Sequence, residues 1–287
     1  MPRKPTRTRK PRVDEPAPSV RHSAREKEAA NETPAGDSRA EGIARTHAEA
    51  LAEAARFIRK NEGADGRDAG EPQRLRAEQE RAKEWGSAKG CLIEESALEV
   101  LGIISNSTSE HEVRGRPADQ RVVKKTWPGF YGQVPVWRAG HIERAAALPS
   151  QYLERQLLQN AVFDSAILLE GVLIPHRPSM IIGESGGQPS FVISQPFIEA
   201  LRPGDPGPTD SRIAEFLAAH GFEALPGSYF GWQRVSDGVV ILDARRDNFI
   251  LAPGGVVPID LQMAVIPEII RAKTPRARAP KTRRKRA

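Results

Sequence analysis

Apolar residues fall into regular patterns from about residue 78 onward. Residues 120–127 alternate with a period of two, which predicts a strand with Val122, Lys124 and Thr126 on one face and Val123 and Lys125 on the other. Pro149 and Ser150 open a helix, with Ser150 as its cap, and Leu153, Leu157, Leu158 and Ala161 recur along it at helical spacing. Apolar runs at 167–174, 180–182 and 190–193 predict strands. A further helix starts at Asp210 or Ser211, runs through Ile213, Phe216 and Leu217, and stops at His220 before Gly221, a residue suited to a helix C-terminus. One or two strands follow within 222–235, and residues 265–270 suit one helical turn or a closing strand. Upstream of the first strand the expectations are a short helix around Trp85, a turn at Gly90, a strand or helix end at 97–104, and a polar loop at 105–115. The Gly and Pro spacing of PGFYGQVPVW predicts irregular structure.

Residues 1–37 contain almost no large apolar side chain and cannot offset their ordering entropy by burial, so they are expected to be disordered. Residues 38–60 favour helix by propensity, but Ile43, Leu51, Ala54, Phe57 and Ile58 make only a thin apolar stripe, which predicts a marginal, undocked helix. Residues 61–74 read as a linker. The expected organisation is an extension over 1–77, a folded α+β domain over 78–268 and a basic tail over 269–287, with no internal repeat.

The formal charge of +6 conceals two opposite parts. Residues 1–12 hold six Arg or Lys and residues 271–287 hold nine, with no acid in either, which leaves 28 basic and 37 acidic residues between them. Basic runs of this kind attract nucleic acid or an anionic membrane surface non-specifically, and they also serve as plain solubilising ends. The single Cys91 excludes an internal disulfide and an all-cysteine metal site. No apolar window is long enough to span a membrane, and MPRKPTRTRKPR lacks the apolar core of a secretory signal, so a cytoplasmic protein without a membrane partner is expected. The six dispersed His offer no zinc pattern, and no G-x-S-x-G elbow points to a hydrolase.

The densest chemistry lies in residues 237–263. Two apolar runs flank Asp243 and Asn248, which are five apart, and a third run ends in Asp260, twelve beyond the asparagine. Aspartate and asparagine also make turns at strand ends, and Gly254 and Gly255 supply a turn here, so the three residues alone fit a β-meander as well as a site.

Their order, with RVVKKTWPGFYG, YLERQLLQN and ISQPF before them, resembles the protein-kinase-like fold, and more closely the Ser/Thr/Tyr-kinase-like domains of the large polyvalent proteins of phages and conjugative elements. The resemblance covers about residues 80–268. It implies a two-lobed α+β fold with a reduced C-terminal lobe, and an ATP- and Mg²⁺-dependent phosphotransferase acting on a hydroxyl acceptor. DARRDN stands where kinases carry D-x-x-x-x-N, and the Asp of PID stands where D-F-G would be. The resemblance therefore assigns Asp243 to the acceptor hydroxyl, Asn248 and Asp260 to Mg²⁺, and Lys124 to the nucleotide phosphates, with Glu154 as the ion-pair partner of Lys124. It places Phe191 to Gln195 along the adenine edge, with Ser194 and Gln195 as the nucleotide contacts and backbone groups near Ser194 making the hydrogen bonds.

Departures from that pattern are clear. Where a Gly-rich loop would cover the phosphates the chain has SNSTS, so Ser107 and Ser109 are the expected phosphate contacts. Ile241 and Leu242 replace the His and Arg that precede the catalytic Asp in kinases, Gln262 stands where the last Gly of D-F-G would be, and only 27 residues follow Asp260. Two other readings follow: a nucleotide-binding module without turnover, and a nucleic-acid-associated protein acting through its basic ends. The phosphate acceptor or protein partner is not identified by the sequence.

Overall fold

The computed structural model describes residues 49–60, 70–105, 110–175, 187–202, 204 and 207–273. The strand expected at 180–182, residues 1–48 and residues 274–287 lie outside them, whereas the start of the expected basic tail, 269–273, belongs to a closing helix. Helix α1 (49–59) places Leu51, Ala54, Ala55 and Ile58 in the largest hydrophobic cluster, a stripe at positions i, i+3, i+4 and i+7. This corrects the expectation of an undocked helix and of a fold starting at residue 78. The stripe is thin because two of its members are alanines, yet all four are buried. Helix α2 (Glu71–Ala88) adds Ala82 and Trp85 to the same cluster.

Next come β1 (Leu92–Ile93), α3 (Glu95–Glu99), β2 (Gly102–Ser105), β3 (His111–Arg116), β4 (Arg121–Thr126), β5 (Gln133–Arg138), β6 (His141–Ala146), α4 (Pro149–Phe163), β7 (Leu168–Leu173) and β8 (Ser190–Pro196). The second half of the expected polar loop is thus a strand. Its alternation is hidden because charged pairs replace apolar ones: Glu112 pairs with Arg114 on its own strand and with Lys125 across the β3–β4 ladder. Of the segment expected to be irregular, residues 128–132 are turn and irregular, whereas its second half is β5 of the β5–β6 hairpin, turned at Ala139 and Gly140 with φ of 50° and 86°. Two positive φ angles in a two-residue loop match the twist of the flanking strands. Ala-Gly signals this more weakly than Asn-Gly.

Strands β1, β7, β8, β4, β3 and β2 form one sheet in that order, antiparallel except for the parallel β1–β7 pair. At Gly171 the carbonyl of Cys91 passes where a Cβ would stand, so β1 reaches β7 only because that position is glycine.

The chain continues through α5 (Asp210–Ala219), β9 (Glu223–Ala224), β10 (Trp232–Arg234), β11 (Val239–Leu242), β12 (Phe249–Ala252), β13 (Gly255–Pro258), β14 (Gln262–Val265) and α6 (Pro267–Lys273). Strands β14, β11, β10 and β9 make a second sheet, and β12 and β13 a hairpin. Ile213 and Leu217 of α5 pack with Val239, Ile241, Phe249, Leu261 and Met263 in a second hydrophobic cluster. The described residues all fall within one unit, 38–287.

Helix α4 joins the two cores, with Tyr152 and Leu153 in the first cluster and Leu158, Val162 and Phe163 against the second. Its cap differs from expectation. The N-cap is Leu148, whose N–H donates to Gln151 Oε1 at 2.9 Å, while the Ser150 N–H donates to the buried carboxylate of Glu78 at 2.8 Å. An acid brought from α2 thus satisfies the helix N-terminus, where negative charge is favourable. Among the described residues no helix is long and apolar enough to cross a membrane.

Candidate functional site

A cleft of about 670 Å³ runs along one face of β3, β4 and β8 and is closed on its other side by the segments around Asn248 and Asp260. Its size lies within the range of small-molecule sites. Val122 and Lys124 both line it, as the period of two requires, and so do Gln195, Asp243, Asn248 and Asp260.

Lys124 is buried, and its ammonium donates to the carbonyl of Ile259 at 2.6 Å, one residue before Asp260. Burial pushes its pKa down; the Asp260 charge works against that shift. Burial alone would raise the pKa of Asp260, but Lys124, then His111 and Arg155, outweigh it and hold the carboxyl far below the usual range. Gln159 of α4 braces the backbone on both sides of Asp260, donating to the Pro258 carbonyl and accepting from the Leu261 N–H, each at 3.4 Å.

Asp243 follows β11 with φ of 69°, a left-handed conformation that aspartate tolerates better than most residues. Asn248 fixes this turn from a 3-10 turn at Arg246–Asn248: its amide donates to the Asp243 carbonyl at 2.8 Å and to Asp243 Oδ2 at 3.1 Å. The Ile259 N–H donates to the Asn248 carbonyl at 2.9 Å, which ties the turn to the Asp260 segment. Asp243, Asn248 and Asp260 are therefore parts of one connected loop system.

The expected Glu154 contact with Lys124 is not present. Glu154 lies on the outer side of α4 and pairs with Arg59 of α1. The side chains that α4 turns inward include Tyr152, Arg155, Gln156 and Gln159, all buried. Arg155 makes a two-pronged ion pair with Glu110, which precedes β3, and its NH2 also stands 3.7 Å from Asp260 Oδ1. Burial opposes its charge, yet Glu110 more than compensates and raises the guanidinium pKa further. His111 completes the group, 2.9 Å from the Tyr152 hydroxyl through Nε2 and 3.6 Å from Asp260 through Nδ1. Gly132 has φ of 74° and lies so close to the Glu110 carboxylate that a Cβ would collide with it.

The role expected at Ser194 belongs to backbone groups near it, and its own carbonyl accepts from Arg121 NH2 at 3.0 Å. Ser194 pairs with Val123 in the β4–β8 register, so its side chain faces away from Lys124, accepting from Arg121 Nε at 2.8 Å and donating to Glu170. The strand-end residues that border the cleft are Gln195, Pro196, Phe197 and Ile198, and the Phe197 N–H is already given to the Gln120 carbonyl at 2.8 Å. Ser107 and Ser109 lie outside the described residues.

Sequence reasoning overlooked Arg155, Tyr152 and Gln159. The signal was available: Tyr152, Arg155, Gln156 and Gln159 repeat at i, i+3, i+4 and i+7, a polar stripe at helical period beside the leucine stripe.

Two sets of atoms suggest cation binding. Glu110, His111 and Asp260 place ligand atoms within 4.8 Å of one another. Arg155 occupies both carboxylate oxygens of Glu110 and Tyr152 occupies one nitrogen of His111, so this set is filled by protein groups. Asn248 and Asp260 instead offer oxygens on the cleft wall, the hard donors that Mg²⁺ prefers. No family model matches the chain, and no curated protein or solved structure matches it either.

Proposed function

We propose that the chain is a kinase-like phosphotransferase that moves the γ-phosphoryl group of ATP to a hydroxyl. The observation that carries this reading is the convergence of Lys124, Asp243, Asn248 and Asp260, from distant parts of the chain, on one cleft. The order of elements supports it. A meander of β2, β3 and β4 carries the buried lysine, α4 and the strands β7 and β8 follow, and the second sheet brings the aspartates to the other wall. On this reading the two sheets with their separate cores are the two lobes, and the likeness to the kinase-like domains of polyvalent proteins belongs to the same proposal.

In the reaction the acceptor oxygen attacks the γ-phosphorus, the bond to the bridging oxygen of ADP breaks, and the acceptor proton passes to Asp243. Asn248 and Asp260 would hold Mg²⁺, which neutralises charge on the phosphates. Lys124 contributes fixed positive charge from a buried position, where electrostatic effects are stronger than in water. Glu110 and Arg155 position this group: Glu110 keeps the guanidinium engaged and so keeps it from closing on Asp260.

A second reading, nucleotide binding without turnover, draws on the arginine contacts that cover Asp243. Thermal melting of the full chain with ATP, with and without Mg²⁺, tests both. Phosphotransferase action predicts a Mg²⁺-dependent rise in Tm that disappears in Asp260→Asn and Asn248→Ala, together with ADP formation. A shift without ADP favours binding alone, and no Mg²⁺-dependent shift removes both readings.

A further inference from the structure

Asp243 uses its two carboxylate oxygens differently. Oδ2 accepts from the Asn248 amide at 3.1 Å and from the Gln262 amide at 3.5 Å, bonds that hold the side chain in place. Oδ1 faces two guanidiniums instead, Arg144 NH2 at 3.0 Å and Arg245 Nε at 3.1 Å. Asp243 is nearly buried, whereas Arg144 and Arg245 are 42% and 47% exposed. Arg245 has Asp247 as a second partner, and Arg144 comes from the β5–β6 hairpin rather than from the loop itself.

A hydroxyl that is to give its proton to Asp243 must take Oδ1, and must displace a guanidinium to do so. A neutral acceptor would leave that cation without a counter-charge beside the reacting atoms. An acceptor with its own negative group would receive the displaced guanidinium and keep every charge paired.

On the phosphotransferase reading, we propose that the acceptor is an anionic molecule, its hydroxyl flanked by a phosphate or carboxylate, and that Arg144 binds that group. Room for the rest of such a molecule exists on the far side of Arg144. A neighbouring cleft of about 710 Å³ is lined by Arg144 together with Trp137, Ile142, Leu225 and Leu242. Arg144 both lines this cleft and contacts Asp243 Oδ1, so the cleft adjoins the acceptor side of the site through that one side chain. The lining also includes Glu143, His141 and Gln233, so the cleft offers apolar surface for the body of the molecule beside a mixed polar edge, at which Arg144 is the group that can take its anionic end. Arginine suits the task because its planar fork matches the two oxygens of a phosphate or carboxylate.

The test is calorimetric titration of inorganic phosphate into the full chain, with and without Mg·ADP, for the wild type, Arg144→Gln and Arg144→Lys. Losing a charged hydrogen-bond partner predicts at least about tenfold weaker phosphate binding in Arg144→Gln, with part of the affinity kept in Arg144→Lys. Equal affinity in wild type and Arg144→Gln, or no phosphate binding by the wild type, overturns the proposal. Glycerol 3-phosphate and a serine peptide with aspartate neighbours, tested in the same way, separate a small acceptor from a peptide. Binding of Mg·ADP is read in the same experiment, so loss of the nucleotide site alone counts against the phosphotransferase reading and is told apart from loss of the anion site.

Discussion

Replacing Glu110 with glutamine removes one charge from the buried pair at the centre of the site and almost no volume. Arg155 is then left 1% exposed, with the Asp260 oxygen at 3.7 Å as its nearest remaining carboxylate. Breaking one side of a buried ion pair costs about 3–5 kcal/mol because the other charge stays buried without compensation. The amide oxygen still accepts one of the two guanidinium bonds, which returns about 1 kcal/mol. The expected loss is therefore about 2–4 kcal/mol, or a Tm lower by roughly 5–15 °C for a folded unit of this size. Urea denaturation with an unchanged m-value is the assay. On the phosphotransferase proposal, the freed guanidinium would turn to Asp260, and Glu110→Gln should also lose any Mg²⁺-dependent response to ATP that the wild type shows, while remaining folded. The double variant Glu110→Leu, Arg155→Met should regain most of the stability, since an apolar pair carries no desolvation cost. A loss under about 1 kcal/mol, or a double variant no more stable than Glu110→Gln, would refute the assignment of the pair as the electrostatic centre of the cleft.

Two further outcomes test the fold around the site. Ile58→Ala should destabilise the protein by about 2–4 kcal/mol in urea, because Ile58 is fully buried in the main cluster; a change within about 0.5 kcal/mol would mean that α1 is not docked. Glu78 has its pKa raised by burial, so its contribution is fully present below the unfolded glutamate value of about 4.3 and is lost as pH rises through the higher folded value. Glu78→Gln keeps an acceptor for the Ser150 N–H and cannot ionise. Its stability relative to wild type should therefore increase between pH 4 and pH 8, and a pH-independent difference would contradict the assignment.

The elements most legible in the sequence were those built on one simple periodicity. The alternation in β4 placed Val122 and Lys124 on the same face, and both line the cleft. The spacing of Asp243, Asn248 and Asp260 left a β-meander and a site equally open, and only the folded chain shows that the three share a hydrogen-bonded loop system. What escaped were the interactions made by charged residues in place of apolar ones. Strand β3 hides its pattern behind Glu112, Arg114 and Lys125, which neutralise one another inside the fold. Glu154 attracted attention as the carboxylate of α4, yet a helical residue one position away faces about 100° further round, and that step turns Arg155 inward and Glu154 toward Arg59. Helix α1 was underestimated because propensity and stripe width say nothing about a complementary surface supplied by α2 and α4, which only the folded chain brings together.

Helix α4 contributes to both hydrophobic cores and carries Arg155 between the two sets of contacts. It acts as a common axle for the two walls of the cleft. Any opening that tilts or shifts α4 must also move Arg155 with respect to Glu110 and Asp260, so cleft width and local charge balance change together. An occupant that favours one cleft width thereby also selects whether the Asp260 carboxylate is shared with a guanidinium or left for other cations.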